Sequence, residues 1–322
     1  MTLERIFAAC APGLEPVLAR ELAALGLDAR ATPGGAEASG SDAVALACVG
    51  SRVADAVGLR LFAGPAGGAD AALAAARRRF GARAPLAIRR DQGEATVSID
   101  AAGEPLYRRG WRARVGAAPL RESLAAGMLL AAGYEGSSAF LDPMCGSGTL
   151  ALEAAEIAAR RAPGRGRRFA FETWPDHDAR RTAAVRARLA AREREPPAPI
   201  HASDRNAGVL RIAQKNALAG ALAPFIRFER RDAALVEPPP GSGLLAVNPP
   251  YGVRLPEGAA SAWRSLATLL ERLPGWTAVV LGPDRGLERL LGRTPAHILR
   301  VRNGGLACQL LFFGGTDRGA QD

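Results

Sequence analysis

The sequence predicts an α/β protein whose larger part is a mostly parallel sheet ending in an antiparallel hairpin, preceded by a small α+β domain. Three observations carry this. From residue 119 onward, short apolar runs alternate with helical stretches, the rhythm of βαβ units. Two of these runs end in abrupt polar loops, one at Asp142-Pro143-Met144-Cys145-Gly146-Ser147-Gly148 and one at Asn248-Pro249-Pro250-Tyr251. The last two runs flank Asn303-Gly304-Gly305, a tight hairpin turn.

Length and composition bound the rest. A chain of 322 residues with 48% apolar content has room for two domains and a sizeable core. The net charge of +10 favours a polyanionic partner such as nucleic acid or an acidic membrane surface. Arginine-rich coding accounts for the same excess, since Lys215 is the single lysine, so charge alone leaves both open. Cys10, Cys48, Cys145 and Cys308 are far apart and form no CxxC pair, which argues against a zinc site or disulfide framework and suits a reduced, cytoplasmic protein. Residues 1–16 do not read as a signal peptide, and no run approaches the ~20 apolar residues of a membrane span.

Residues 1–104 form the first region. Helical spacing covers residues 15–25 and stops at Gly26; residues 43–62 are mostly apolar up to Gly64-Pro65; residues 69–80 read as a helix closed by Gly81. Two strands, 86–90 and 95–99, surround the turn-forming Asp91-Gln92-Gly93. Residues 105–118 are a basic connector in which Tyr107 and Trp111 interleave with Arg108, Arg109, Arg112 and Arg114. As a stacking and phosphate-binding strip it supplies Arg108, Arg109, Trp111 and Arg112 as candidate nucleic-acid contacts. It reads equally as a solvated linker whose Trp111 packs into a domain interface, the preferred alternative.

Residues 119–322 are the third region. Helices are expected at 120–132, 149–160 and 176–194, and strands end at Phe140-Leu141 and occupy 200–202, 226–228, 244–247, 277–281, 298–302 and 306–313. Phe169 to Pro175 is aromatic for this chain and covers a ligand or anchors an insertion; packing is preferred.

The chemistry concentrates where strands end. The glycine loop after Leu141 lets backbone approach a ligand, and the following helix N-terminus presents free N–H groups. GxG alone is weak; Asp142 directly after the strand sharpens it, while the missing third glycine argues against a dinucleotide fingerprint. The next strand-end acid is Asp204, which makes residues 162–199 an insertion. Asp204 suits two ribose hydroxyls or caps the next helix near Asn206; beside the glycine loop, ribose is preferred. Asp232 ends the following strand and suits an adenine amino group or a plain turn. At Asn248-Pro249-Pro250-Tyr251 the prolines fix φ and form a rigid shelf. Asn248 Oδ1 and the Pro249 carbonyl are two acceptors for the two hydrogens of an amino group on an aromatic ring, and Tyr251 is a stacking face for that ring. His177, His201 and His297 are scattered, so neither a metal triad nor a Ser/His/Asp arrangement is expected.

In this order the chain resembles the THUMP-associated class I S-adenosylmethionine-dependent RNA methyltransferases, closest to the bacterial large-subunit ribosomal RNA guanine-N2 enzymes. The likeness rests on Ala11-Pro12-Gly13-Leu14-Glu15, Leu106-Tyr107-Arg108-Arg109-Gly110-Trp111-Arg112, Pro119-Leu120-Arg121-Glu122-Ser123, the Asp142 to Thr149 loop, Phe171-Glu172-Thr173-Trp174-Pro175 and Asn248-Pro249-Pro250-Tyr251-Gly252. It implies a Rossmann-like domain of seven strands with S-adenosyl-L-methionine as cofactor. It places Asp142, Pro143, Cys145, Gly146, Gly148 and Thr149 at the methionine part, Asp204 and Asp232 at ribose and adenine, and Asn248, Pro249, Pro250 and Tyr251 at the target base, with Asn248 also touching the cofactor. It implies an RNA partner, first of all 23S rRNA, and no metal or membrane. One departure stands out: the family's N-terminal part runs well beyond 150 residues, whereas about 105 precede the connector here, with residues 62–85 as a shortened substitute. Methylation of tRNA guanine, DNA adenine or protein glutamine fits the same shelf, and a non-catalytic RNA-binding assembly factor is the remaining alternative.

Overall fold

The computed structural model describes residues 3–111, 120–250, 259–283 and 291–314. In chain order its elements are β1 (Glu4–Ala9), α1 (Glu15–Ala24), β2 (Asp28–Thr32), β3 (Gly35–Gly40), α2 (Ala43–Gly50), β4 (Ala56–Pro65), α3 (Ala69–Phe80), β5 (Leu86–Asp91), β6 (Glu94–Asp100) and α4 (Glu122–Ala131). There follow β7 (Ala139–Asp142), α5 (Thr149–Ala158), α6 (Ala179–Ala190), β8 (Ile200–Ser203), α7 (Ala207–Ala219), β9 (Ile226–Glu229) and β10 (Gly243–Val247), then α8 (Ala259–Glu271), β11 (Thr277–Pro283), β12 (His297–Asn303) and β13 (Leu306–Phe313).

The chain forms two compact units. One holds Met1–Arg109 with Ala162–Arg192, the other Gly110–Arg161 with the chain from Glu193 onward. Residues 162–192, which the contiguous division above counts with the third region, thus pack within the first unit.

The first unit is built on an antiparallel six-stranded sheet in the order β2-β3-β1-β4-β6-β5. Side chains alternate between faces along a strand. In β1, Ile6 and Ala8 are buried while Arg5 is exposed and Phe7 half-buried. Helices α1, α2 and α3 cover the buried face, with Leu14, Leu18 and Leu22 against the sheet at one end and Phe62, Ala69, Leu73, Ile88 and Val97 forming a smaller core at the other. The apolar stretch 43–62, continuous in sequence, divides into helix α2 and strand β4. At the 91–94 turn Gln92 and Gly93 both have positive φ, as a two-residue hairpin of this hand requires.

The inserted segment docks through its backbone. Gly164 N–H donates to the Val49 carbonyl at 2.9 Å, and a Cβ at position 164 would lie 2.7 Å from the Cys48 carbonyl oxygen. Phe171 N–H donates to the Ala101 carbonyl at 3.0 Å. Arg186 then ties the loop together, donating to the Gly164 and Arg167 carbonyls and to Glu172 Oε1 at 2.6 Å.

The second unit is a seven-stranded sheet in the order β12-β13-β11-β10-β7-β8-β9. Strands β11, β10, β7, β8 and β9 are parallel; β13 runs antiparallel between β11 and β12. The final hairpin therefore slots its second strand inside the sheet and leaves its first at the edge. Leu244, Leu245, Ala246 and Val247 are all buried although neighbours point to opposite faces, so both faces of β10 are covered. That is why β10 reads as an unbroken apolar run. Chain order reverses between β7 and β10, the place in open α/β sheets where ligands sit beyond the strands' carboxyl ends.

Candidate active site

The residues singled out at strand ends come to one edge. Strands β10, β7, β8 and β9 are neighbours, with Leu245 beside Leu141, Asp142 beside Ala202 and Ser203 beside Glu229. Their carboxyl ends carry Asn248, Asp142, Asp204 and Asp232 respectively.

The loop after β7 is held by hydrogen bonds within itself, to β8 and to the carboxylates of Asp142 and Asp204. Cys145 N–H donates to the Ser203 carbonyl at 2.9 Å and Gly148 N–H to the Cys145 carbonyl at 2.7 Å. Met144 N–H donates to Asp142 Oδ1 at 3.3 Å, and Gly146 N–H to Asp204 Oδ2 at 3.0 Å. Gly148 caps α5 at φ +89°, and a Cβ there would meet Leu152 Cδ1 at 2.7 Å. Gly146 has φ +54°, yet a Cβ there would meet nothing within 4 Å, so one side of the turn is open. Pro143, Cys145 and Thr149 are buried beneath it. Asp142 is 1% exposed; desolvation, with Asp204 adding to it, pushes its carboxyl well above the usual carboxylate range. Burial likewise pushes the Cys145 thiol up.

Asp204 is half-buried. It accepts from Gly146 and, through Oδ1 at 2.8 Å, from Asn206 N–H. The capping of α7 belongs to Asn206, whose side chain accepts from Gly208 and Val209. Each carboxylate oxygen has two lone pairs, so Asp204 can accept further bonds. Asp232 Oδ1 accepts from Ala234 N–H at 3.0 Å and starts a short 3₁₀ turn.

The loop after β10 is different. Pro249 is buried, and the Pro250 carbonyl accepts from Trp263 Nε1 at 3.2 Å, which pins the shelf to α8. Asn248 Oδ1 is buried and, among the described residues, has no hydrogen-bond partner. Tyr251 and Arg112 lie outside the described residues. Among the described residues no three His, Cys, Asp or Glu side chains gather as metal ligands, and no helix is long and apolar enough to cross a membrane.

On the connector, Trp111 is buried. That residue is 4% exposed, its Cβ lies near Gly220, and its ring offers no free face to a base. Arg109 donates to the Leu106 and Arg52 carbonyls, and Arg108 forms an exposed pair with Glu104. Trp263 and Asn216, which hold the two loops, were not singled out in the sequence. Asn216 Nδ2 donates to the Ser147 carbonyl at 3.0 Å from a fully buried position. The scarcity of tryptophan was the only signal for the first; the second had none.

Comparison with known proteins matches residues 5–57 to the RlmL ferredoxin-like domain and residues 109–311 to the RMKL-like methyltransferase domain. A candidate RNA methyltransferase of Synechocystis is 36% identical over 69% of this chain, and the ribosomal RNA large subunit methyltransferase K/L of Allochromatium vinosum is 40% identical over 68%. The chain spans 59% of the first relative's length and 31% of the second's. A candidate methyltransferase solved in complex with SAH superposes with a TM-score of 0.86 at 25% identity, covering 99% of this chain and 100% of that one. The chain therefore has the class I methyltransferase fold and belongs to the family of RMKL-like methyltransferase domains, carried together with an RlmL ferredoxin-like domain.

Proposed function

We propose that the chain methylates the exocyclic N2 amino group of a guanine in RNA, with 23S ribosomal RNA as the substrate and S-adenosyl-L-methionine as the donor. One observation carries this: Asn248 Oδ1 at the switch point of the sheet is buried and, among the described residues, has no partner. Leaving such an acceptor unsatisfied costs about 1–3 kcal/mol, which an incoming N–H donor recovers. The relatives named as RNA and large-subunit rRNA methyltransferases support the RNA assignment.

The residues fit the cofactor. The open side of Gly146 leaves room for the methionine part above Pro143, Cys145 and Thr149, with Asp142 and Gly148 holding the turn. Asp204 has lone pairs for ribose hydroxyls, and Asp232 for the adenine amino group. When bound, the donor supplies a sulfonium methyl that is already activated, so no strong base is required.

The amine is the weak partner, because its lone pair is delocalised into the ring. Asn248 Oδ1 and the Pro249 carbonyl accept its two hydrogens, hold the nitrogen pyramidal and aim the lone pair. Fixing that geometry in a water-poor site supplies the rate enhancement. Trp263 keeps Pro250, and with it the shelf, from moving. Tyr251 stacks on a base that has left its own stack, so the target is an unpaired or extruded nucleotide. Arg108, exposed on the connector, and Arg112 contribute phosphate contacts, and the reaction belongs to the cytoplasm.

Tritiated methyl transfer to separate RNA, DNA and protein pools tests the reading. Label confined to RNA, mapped to N2 of guanine, is expected. Label in DNA adenine or protein glutamine would replace this substrate with another amine that suits the same acceptors.

A further inference from the structure

The carboxyl rim of the second sheet runs from β12 through β13, β11, β10, β7 and β8 to β9. Asp142, Asp204 and Asp232 follow β7, β8 and β9, so in the reading above the cofactor fills the rim on one side of Asn248. A strand carrying the target base then passes over the other side. That side is formed by the end of β11 and by the β12–β13 hairpin.

The hairpin rises above the shelf. Val247 pairs with Val280, which puts Asn248 level with Leu281, and Leu281 pairs with Leu310. Leu306, where β13 begins, is four residues further toward the rim, roughly 13 Å at the rise of a strand. Pro283 pairs with Cys308, so Leu306 and Ala307 overshoot the end of β11. Two strand spacings separate β13 from β10, about 10 Å, or about three stacked nucleotide steps of ~3.4 Å.

Nothing covers the tip. A Cβ at Gly304 or Gly305 would meet nothing within 4 Å, and Leu306 is 54% exposed with Ala307 exposed beside it. Turn chemistry asks for Asn303 and the glycines but not for a leucine next to them. The charge is one-sided as well. Residues 291–314 include Arg293, His297, Arg300 and Arg302 and no Asp or Glu. Arg300 and Arg302 are exposed and, among the described residues, neither has a carboxylate partner. Arg302 Nη2 donates to the Gly305 carbonyl at 3.2 Å, which holds its guanidinium at the turn. By the registers, Arg300 and Arg302 share one face of the hairpin, and Leu306 lies on the other, the sheet face of Ala246 and Asp142. Arginines on an edge strand also discourage pairing with another sheet, but that does not account for an apolar tip.

We propose that this hairpin holds the RNA strand beside the target guanine. Leu306 is a wedge that enters the gap left by the extruded base, and Arg300 and Arg302 hold neighbouring phosphates. Apolar wedges of this size separate bases in other nucleic-acid complexes, and an extruded base leaves such a gap. The inference rests on the functional reading above, and makes Leu306, Arg300 and Arg302 positioning residues for that reaction.

The full chain is tested on 23S ribosomal RNA transcribed in vitro, with methyl transfer and filter binding followed separately. Leu306→Ala is expected to lower kcat/KM for transfer about tenfold, whereas Leu306→Phe, which keeps an apolar wedge, should stay within about threefold of wild type. Arg300→Ala should lower the log–log salt slope of binding by ~0.7, the share of one phosphate, and Arg302→Ala should act in the same direction. Lys215→Ala removes an exposed charge from α7 and should leave kcat/KM unchanged. Cofactor affinity by calorimetry should be that of wild type in all of them.

A wild-type chain that methylates the transcript, with Leu306→Ala, Arg300→Ala and Arg302→Ala matching it in kcat/KM and salt slope, would overturn the proposal and leave the functional reading intact. Leu306→Phe as impaired as Leu306→Ala would overturn the wedge. A wild-type chain that binds the transcript through these residues but transfers no methyl to it would defeat the functional reading and leave the hairpin as an RNA contact.

Discussion

Strands β7 and β10 lie side by side, and the chain finishes them in opposite ways. After β7 the loop is tied by backbone and carboxylate bonds: Cys145 to Ser203, Gly148 to Cys145, Gly146 to Asp204. After β10 the prolines remove two donors, Trp263 holds the second carbonyl, and Asn248 Oδ1 is left buried with no partner among the described residues. A self-satisfied loop suits a ligand that must be held in the same place every cycle. An unsatisfied one suits a group that must be gripped only while it reacts, because interactions gained late in the reaction act on rate rather than affinity.

Four substitutions break or sharpen this contrast. The largest effect is expected from Asn248→Ala, which should slow single-turnover methyl transfer about 10²–10³-fold. Cofactor affinity by calorimetry should hardly change; an equal loss in both would erase the distinction between the two loops. Asp204→Ala belongs to the other side, and should weaken cofactor binding about 10–100-fold, since hydrogen bonds to a charged group contribute about 1.5–3 kcal/mol. Saturating cofactor should restore most of its rate. Trp263→Phe keeps the buried ring but frees the Pro250 carbonyl; it should cost about 0.5–1.5 kcal/mol in denaturant unfolding and lower the transfer rate more than cofactor affinity.

The smallest effect concerns pH. Burial raises the Asp142 pKa in the folded protein above its unfolded value, so the folded state holds a proton that the unfolded chain releases. Stability from this group is greatest below the unfolded pKa and falls as pH rises toward the folded one. Asp142→Asn keeps the acceptor for Met144 N–H and removes the titration. It should therefore melt higher than wild type at neutral pH, with the gap closing toward pH ~4. A gap that widens on acidification would contradict the burial argument.

The second sheet was legible in the sequence because its central strands are covered on both faces and thus read as apolar runs bounded by polar loops. All seven runs found there are strands, and the hairpin at Asn303-Gly304-Gly305 joins the last two. The first unit was less legible. Strands β2 and β3 read Asp-Ala-Arg-Ala-Thr and Gly-Ala-Glu-Ala-Ser-Gly, short and poor in β-branched residues, so they carry no strand signal. Stretch 43–62 hid a helix and a strand within one apolar run. Trp111, read from the sequence either as a stacking residue or as part of a packed linker, is buried. Asp142 and Asn248 were readable because each follows an apolar run directly; Asp204 and Asp232 follow mixed strands and were readable only in the company of the glycine loop and the Asn248 shelf. Trp263 and Asn216 act across long sequence separations, and no local pattern announces such contacts.

The excursion of residues 162–192 has a consequence for how the protein is made and cut. The backbone passes between the two units at Arg109, at Arg161 and again at Arg192, so neither unit is a continuous piece of chain. During synthesis the amino-terminal sheet must wait, with the surfaces that receive Gly164 and Phe171 uncovered, until β7 and α5 have already emerged. A fragment ending near the connector would lack α6 and the aromatic segment; one beginning after it would carry Phe169 and Phe171 with nothing to bury them. The two halves of this molecule are stitched together, and separating them cleanly requires excising the middle as well as the ends.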